Sequence, residues 1–277
     1  PSDSLNDDND PFRQLGVNVL SFKFTTVVKF FLKSVLPKSI CFVKLSDGLG
    51  DNIVKMVQGI MKQRNYEPCG RNDFIDLLLE CRKEPMTGDS IIEVNPDGTP
   101  KKVSMELDDL LITAQVLVFF VAGFETSSSA TSYTLHQLAF NPEVQRKAQE
   151  EVDRVLAQHD NKLSYDAISE MTYLKWCLDE SLRIFPPVGV LQRRCVRPYT
   201  FPDSQLTIDA GVNIIIPVEA YQNDPKFFPE PKEFRPERFN PAVLTAEQKM
   251  AHMPFGEGPR ACIGERLGLM QSLAGLA

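Results

Sequence analysis

A chain of 277 residues that is 43% apolar and 24% charged can bury the core of one large or two ordinary domains, which excludes disorder as the default state. A net charge of −7, with the basic residues spread along the chain rather than gathered among aromatics, excludes nucleic acid as the expected partner. Six cysteines, spaced like neither a zinc site nor a small disulfide framework, read as reduced thiols of an intracellular protein. Three histidines with no shared helix face leave any metal to sulfur.

The first ten residues are polar and acidic, without signal-peptide character, and no run reaches the roughly 20 apolar residues of a membrane span. From Pro11 to Ser46 there is no acid, while Arg13, Lys23, Lys29, Lys33, Lys38 and Lys44 recur among Phe22, Phe24, Phe30, Phe31, Leu36 and Phe42. Basic and apolar residues together suit a segment at a membrane surface; two buried amphipathic helices broken at Pro37 would give the same pattern. Leu45–Arg64, with apolar residues at Ile53, Val57, Ile60 and Met61, predicts a helix, and Asn72–Lys83 a shorter one. Glu84–Lys102, rich in turn signals, reads as a loop.

Met105–His136 keeps a 3.6 period without proline and is apolar all round from Val116 to Val121, as expected of a helix crossing a protein's centre. Gly123 weakens it, and the Ser and Thr residues after it compete for backbone carbonyls, so Ser127–Ser129 should bond back to the preceding turn. Asn141-Pro142 opens a charged amphipathic helix to Ala157. Leu163–Pro187 supplies a short and a longer helix, ended by Pro186-Pro187. The β-branched runs Arg193–Phe201 and Gln205–Ala220 predict short strands and a hairpin, and Pro217–Pro241 an extended, proline-rich coil. A last helical pattern runs from Ile263 to Ala277 with no polar tail, so the chain reads as a fragment cut at both ends.

Chemistry concentrates in Phe255–Gly268, where Cys262 stands among Gly256, Gly258, Gly264 and Arg260. A helix beginning just after Cys262 would favour thiolate over thiol, making it a ligand or a nucleophile. A nucleophile wants a histidine base, for which His252 is the nearby candidate, but no orienting partner is evident. A thiolate without histidines suits the axial position of a haem iron. The glycines would let the loop lie flat against a macrocycle, Phe255 could shield the sulfur, and Arg260 could meet a propionate. Glu180 and Arg183 are one turn apart and can pair, either as a surface pair or, with Arg238, as a buried network.

The stretch Pro254–Gly264, "PFGEGPRACIG", resembles the haem-binding loop of the cytochrome P450 family. "AGFET", Ala122–Thr126, resembles the family's oxygen-activation motif, "ESLR", Glu180–Arg183, its Glu-x-x-Arg, and "PERF", Pro236–Phe239, the motif that completes that triad. The resemblance implies a mainly α fold with small β elements, truncated at both ends. Residues 1–104 would be substrate-roof helices and a loop, 105–190 the central and Glu-x-x-Arg helices, 191–254 short strands and meander, and 255–277 the haem-binding loop and the start of the next helix.

It implies a haem-thiolate monooxygenase: haem b with Cys262 as iron ligand, Arg260 and Arg193 at propionates, and Phe255, Gly256 and Gly264 along the macrocycle. Ala122 and Gly123 would leave room for dioxygen, Thr126 and Glu125 would relay protons, and Glu180, Arg183 and Arg238 would lock the meander. Implied partners are NADPH, indirectly through NADPH-cytochrome P450 reductase, an apolar small-molecule substrate with O2, and the membrane surface. The implied location is the cytoplasmic face of the endoplasmic reticulum membrane, with the anchor outside this chain. "RNDFIDLLLECRK", "RIFPPVGVLQRRC" and "FPEPKEFRPERF" are similar to insect microsomal members associated with oxidation of plant toxins and insecticides. His252 and Ala261 depart from common family residues without removing a ligand. A haem-thiolate isomerase or dehydratase, and a haem-binding protein or fragment without activity, remain alternatives.

Overall fold

A computed structural model describes residues 7, 9, 10, 13, 14, 16, 17 and 49–277, and within it the chain forms two units, Pro1–Phe124 and Glu125–Ala277. Most of the basic, acid-free segment expected at a membrane surface lies outside the described residues.

In the first unit, α1 (Leu49–Gln63) buries Ile53, Val57 and Met61, spaced four apart on one stripe, and α2 (Phe74–Cys81) adds Leu79. These pack with Leu107 and Ile112 into one apolar cluster. The Asp73 side chain caps α2 by accepting from the Asp76 N–H at 3.1 Å. The stretch read as a loop is an antiparallel hairpin, β1 (Met86–Val94) with β2 (Pro100–Met105). Asn95 N–H donates to the Thr99 carbonyl at 2.8 Å and Gly98 sits at φ +84°, so the Asn-Pro-Asp-Gly turn closes two strands. Strand signal was hidden because nearly every hairpin residue is exposed and the register shifts between Asp89 and Val94, leaving no two-residue alternation.

The long helix α3 runs Asp109–Phe140, beginning in the first unit and ending in the second. It starts later than the periodicity suggests because Asp108 caps it, its carboxylate accepting from Leu111 N–H at 2.7 Å. By length and composition α3 could cross a membrane, although core helices of soluble proteins pass the same test. Val118 is 59% exposed, so the expected burial of the apolar middle is incomplete among the described residues.

The second unit packs α4 (Pro142–Gln158), α5 (Tyr165–Glu170), α6 (Thr172–Ile184) and α9 (Glu265–Leu276) with the C-terminal half of α3. Ala130, Leu138, Val152, Val155, Ile168, Leu174, Cys177, Leu178, Leu182 and Leu273 form its core. Every residue of α6 from Cys177 to Arg183 is buried, so polar groups there must find partners inside the protein. The two carboxylate oxygens of Glu151 on α4 accept from the N–H groups of Tyr173 (3.0 Å) and Leu174 (2.9 Å), capping α6 from outside.

Two antiparallel pairs nest in one long hairpin: β3 (Leu191–Arg194) with β6 (Asn213–Ile216), and β4 (Tyr199–Thr200) with β5 (Thr207–Ile208). The segment read as extended coil opens instead with a helical turn, α7 (Val218–Gln222), and contains a 3-10 turn at Pro236–Phe239. Pro217 stands at the N-cap of α7, where a missing N–H costs nothing. A capping box between Thr245 and Gln248 then starts α8 (Ala246–Ala251).

Candidate functional site

The loop after α8 turns at Gly256 (φ +71°) and Gly258 (φ +74°), a conformation that side-chain-bearing residues resist. Cys262 N–H donates to the Phe255 carbonyl at 2.8 Å, which folds the loop over on itself, and Gly264 then caps α9. The Cys262 thiol is exposed and has no hydrogen-bond partner among the described residues. A Cβ on Gly264 would stand 3.9 Å from its sulfur.

Cys262 borders a cavity of about 230 Å³ within the second unit. Thr126, Ser127 and Ala130 of α3 line it together with Phe255, Gly256 and Arg260 of the loop. Leu178, Leu182, Val188, Leu191 and Leu269 make the remaining wall largely apolar. The Arg260 side chain is exposed and has no ion-pair partner among the described residues. A soft sulfur donor, apolar walls and an uncommitted cation on one cavity fit an iron porphyrin with acidic side groups. No cluster of three or more His, Cys, Asp and Glu offers a rival metal site among the described residues.

Other expected residues stand farther off. Arg193 lies two residues along β3 from Leu191, on the same strand face, and is not among the residues lining the cavity; its guanidinium donates to the Gln192 carbonyl at 2.9 Å. Glu125 is exposed, beside Thr126 in sequence, and accepts from Ser129 Oγ at 3.4 Å. Ala122 and Gly123 belong to the first unit, and a Cβ on Gly123 would meet nothing within 4 Å. Of the three serines, Ser128 bonds back to the Glu125 carbonyl at 3.0 Å, whereas Ser129 uses the Glu125 side chain and Ser127 is buried at the cavity wall.

Glu180, Arg183 and Arg238 come together in one buried network. Arg183 Nε and Nη2 donate to the two Glu180 oxygens at 2.7 and 3.0 Å, both side chains being fully buried. Arg238 Nε donates to the same carboxylate at 3.2 Å, and Arg235 N–H at 3.0 Å. Arg183 also donates to the carbonyls of Gln222 (2.8 Å) and Pro231 (2.7 Å) and lies over the Phe228 ring. Burial pushes the Arg238 guanidinium below its ordinary pKa, against the pull of Glu180.

Sequence reasoning missed Gln222, Phe228 and Arg235, which sit in the proline-rich stretch with no motif to mark them. It also missed the place of His252. Its Nε2 lies 3.2 Å from the Asp179 carbonyl and its ring is 4.6 Å from that of Phe239. Burial pushes its pKa down to about 3, so it is a neutral packing group rather than a base for Cys262. Cys177, by contrast with Cys262, is buried in the core, and that burial raises its thiol pKa.

The sequence profile of the family described as Cytochrome P450 matches residues 5–277. The chain is 36% identical to cytochrome P450 6a8 of Drosophila melanogaster over 278 residues, covering 99% of this chain and 53% of that protein. It is 40% identical to cytochrome P450 6B6 of Helicoverpa armigera over 218 residues (79% and 42%). Against cytochrome P450 9e2 of Blattella germanica it is 34% identical over 274 residues (98% and 51%). It thus spans about half the length of the relatives it matches.

Proposed function

Because the chain belongs to the cytochrome P450 family, we propose that the protein it represents is a haem-thiolate monooxygenase, with the wall of Cys262 and the wall of Thr126 bounding the reaction site. The observation that carries this reading is the single cavity lined by both residues. Bound between them, haem would supply oxygen activation for insertion of one oxygen atom into an apolar substrate.

Cys262 would hold the iron, Arg260 would meet a propionate at the cavity rim, and Arg193, on the face of β3 shared with Leu191, would meet the other. Phe255, Gly256 and Gly264 would let the macrocycle approach the loop closely. Thr126 would hold and pass a proton at its Oγ1, with exposed Glu125 exchanging that proton with solvent. Ala122 and Gly123, one turn earlier on α3, would keep the helix surface small. Glu180, Arg183 and Arg238 would hold α6 and the proline-rich segment in one arrangement beneath the loop.

The expected electron source is NADPH through NADPH-cytochrome P450 reductase. The expected substrate is an apolar small molecule such as a plant toxin or insecticide, and the expected location is the cytoplasmic face of the endoplasmic reticulum membrane. We propose the same segment boundaries, at residues 104, 190 and 254. Thiolate-type absorption of the reduced, carbon-monoxide-bound full-length protein tests the assignment. The band should disappear in Cys262→Ser; its survival there would refute Cys262 as the ligand.

A further inference from the structure

Gln222 ends α7, is fully buried, and uses every polar group of its side chain. Its amide nitrogen donates to the carbonyls of Leu182 and Arg183, 3.0 Å from each, two of the carbonyls that the end of α6 leaves without a helical partner. Its amide oxygen accepts from Met253 N–H at 3.0 Å. The reverse amide orientation would set oxygen against two carbonyls and NH2 against an N–H, so the surroundings permit only this one. Its backbone carbonyl meanwhile accepts from Arg183 Nη1 at 2.8 Å. One residue therefore grips both the main chain and the side chain of Arg183.

Met253 is the root of the cysteine loop. Its carbonyl accepts from Gly256 N–H at 3.0 Å, and the Phe255 carbonyl accepts from Cys262 N–H at 2.8 Å. No side chain from Pro254 to Gly264 makes a hydrogen bond or ion pair among the described residues. The loop is held by packing, chiefly of Phe255 against the core, and by these backbone bonds. Among the described residues, the Gln222 bond to Met253 links them to the last turn of α6, while His252 beside Met253 reaches the same helix one turn earlier, at the Asp179 carbonyl.

We propose that Gln222 is the positioning residue that registers the Cys262 loop against the C-terminus of α6. It transmits the placement fixed by the Glu180–Arg183 network to the sulfur. The proposal rests on the reading of Cys262 as iron ligand for its functional consequence. The coupling of Gln222 to the loop can be measured without it.

The test uses the haem-loaded full-length protein with Gln222→Met, close in volume but without donor or acceptor, and Gln222→Glu, which keeps an acceptor for Met253. Hydrogen exchange in the 253–262 peptide should be about tenfold faster in Gln222→Met than in the wild type, while the α4 peptide is unchanged. The reduced, carbon-monoxide-bound variant should also show a larger share of thiol-type over thiolate-type absorption among molecules that retain haem. A purely structural role would lower thermal stability and quicken exchange throughout the unit while leaving that share at its wild-type value, and this result would overturn the proposal.

If Gln222→Met does not fold, Gln222→Glu decides. Protonated, its carboxyl can donate to one carbonyl; ionised, it faces both. Exchange at 253–262, taken relative to the wild type at each pH, should rise as pH rises, and a flat ratio would overturn the proposal. Thiolate-type absorption that survived Cys262→Ser would sink the ligand reading, while the exchange ratios would still decide the role of Gln222.

Discussion

Arg64, half-buried, and Arg183, fully buried, are both arginines gripped by carboxylates, yet they act over different distances in sequence. Arg64 donates through two nitrogens to Asp73, each at 2.7 Å, and to Asp76 at 2.6 Å. Those partners lie at most 12 residues away, and Asp76 also gathers the N–H groups of Cys69 and Asn72. That cluster shapes one connection, a stretch in which Asn65, Tyr66 and Asn72 take positive φ. Arg183 reaches carbonyls 39 and 48 residues away, and Glu180 draws in Arg235 and Arg238 from 55 and 58. The first cluster closes short loops at little entropic cost and can form early; the second exists only once α6, α7 and the proline-rich segment have assembled. Similar pair chemistry thus sets a local turn in one unit and secures the tertiary arrangement of the other.

Removing one carboxylate should separate the two clusters most strongly. Glu180→Ala leaves the buried Arg183 and the half-buried Arg238 without their shared acceptor and should cost about 3–5 kcal/mol. Arg64→Ala should cost less, about 2 kcal/mol, because Asp73 is 39% exposed and screened while the buried Asp76 keeps the N–H donors of Cys69 and Asn72. Denaturant unfolding of the full-length protein, with hydrogen exchange to assign each loss to its unit, measures both. Equal losses, or a larger one for Arg64→Ala, would contradict the distinction.

Acid separates the two regions next. Burial holds the His252 pKa at about 3, below its ordinary 6.5. The unfolded chain therefore takes up a proton from pH 6.5 downward while the folded chain does not until about pH 3. Stability of the second unit should fall across that window by up to about 1.4 kcal/mol per pH unit, and His252→Gln should flatten the slope. Hydrogen bonding to Arg64 holds Asp73 at about 2, below its ordinary 3.8. Its contribution is complete above pH 3.8 and is lost only as pH falls toward 2. Exchange taken relative to the intrinsic rate at each pH should therefore hold steady in α1–α2 peptides from pH 6 to 4 and rise in α6–α8 peptides. The opposite order would remove His252 as the cause.

Much of this architecture was legible because periodicity and caps are local. α4 begins where Asn141-Pro142 requires, and α6 ends before Pro186, because proline removes a donor wherever the chain goes afterwards. The cysteine loop and the pairing of Glu180 with Arg183 were legible as spacing. The hairpin Met86–Met105 was not, because a strand pair without a buried face carries no alternation. Gln222 was invisible for another reason. A glutamine is unremarkable in sequence, and its value comes from two carbonyls some 40 residues upstream and an N–H 31 residues downstream. Short-range rules cannot see a partner supplied by assembly.

Two glycines, one in each unit, should respond more weakly. Gly98 in the first hairpin turn and Gly256 in the cysteine loop both hold positive φ, so alanine at either should cost about 1 kcal/mol in backbone strain. Neither substitution meets a serious clash: nothing lies within 4 Å of a Cβ at Gly98, and the nearest atom at Gly256 is Leu191 Cδ1 at 3.7 Å. Gly98→Ala should therefore raise exchange only in the 86–105 hairpin. Strain at Gly256 bears on the bond its N–H makes to Met253, and Met253 is held by Gln222, so Gly256→Ala should raise exchange from 253 to 262 and also at the end of α6. If that disturbance stayed within the loop, the path from Gly256 through Met253 and Gln222 to α6 would carry no coupling, and the second unit would be as locally organised as the first.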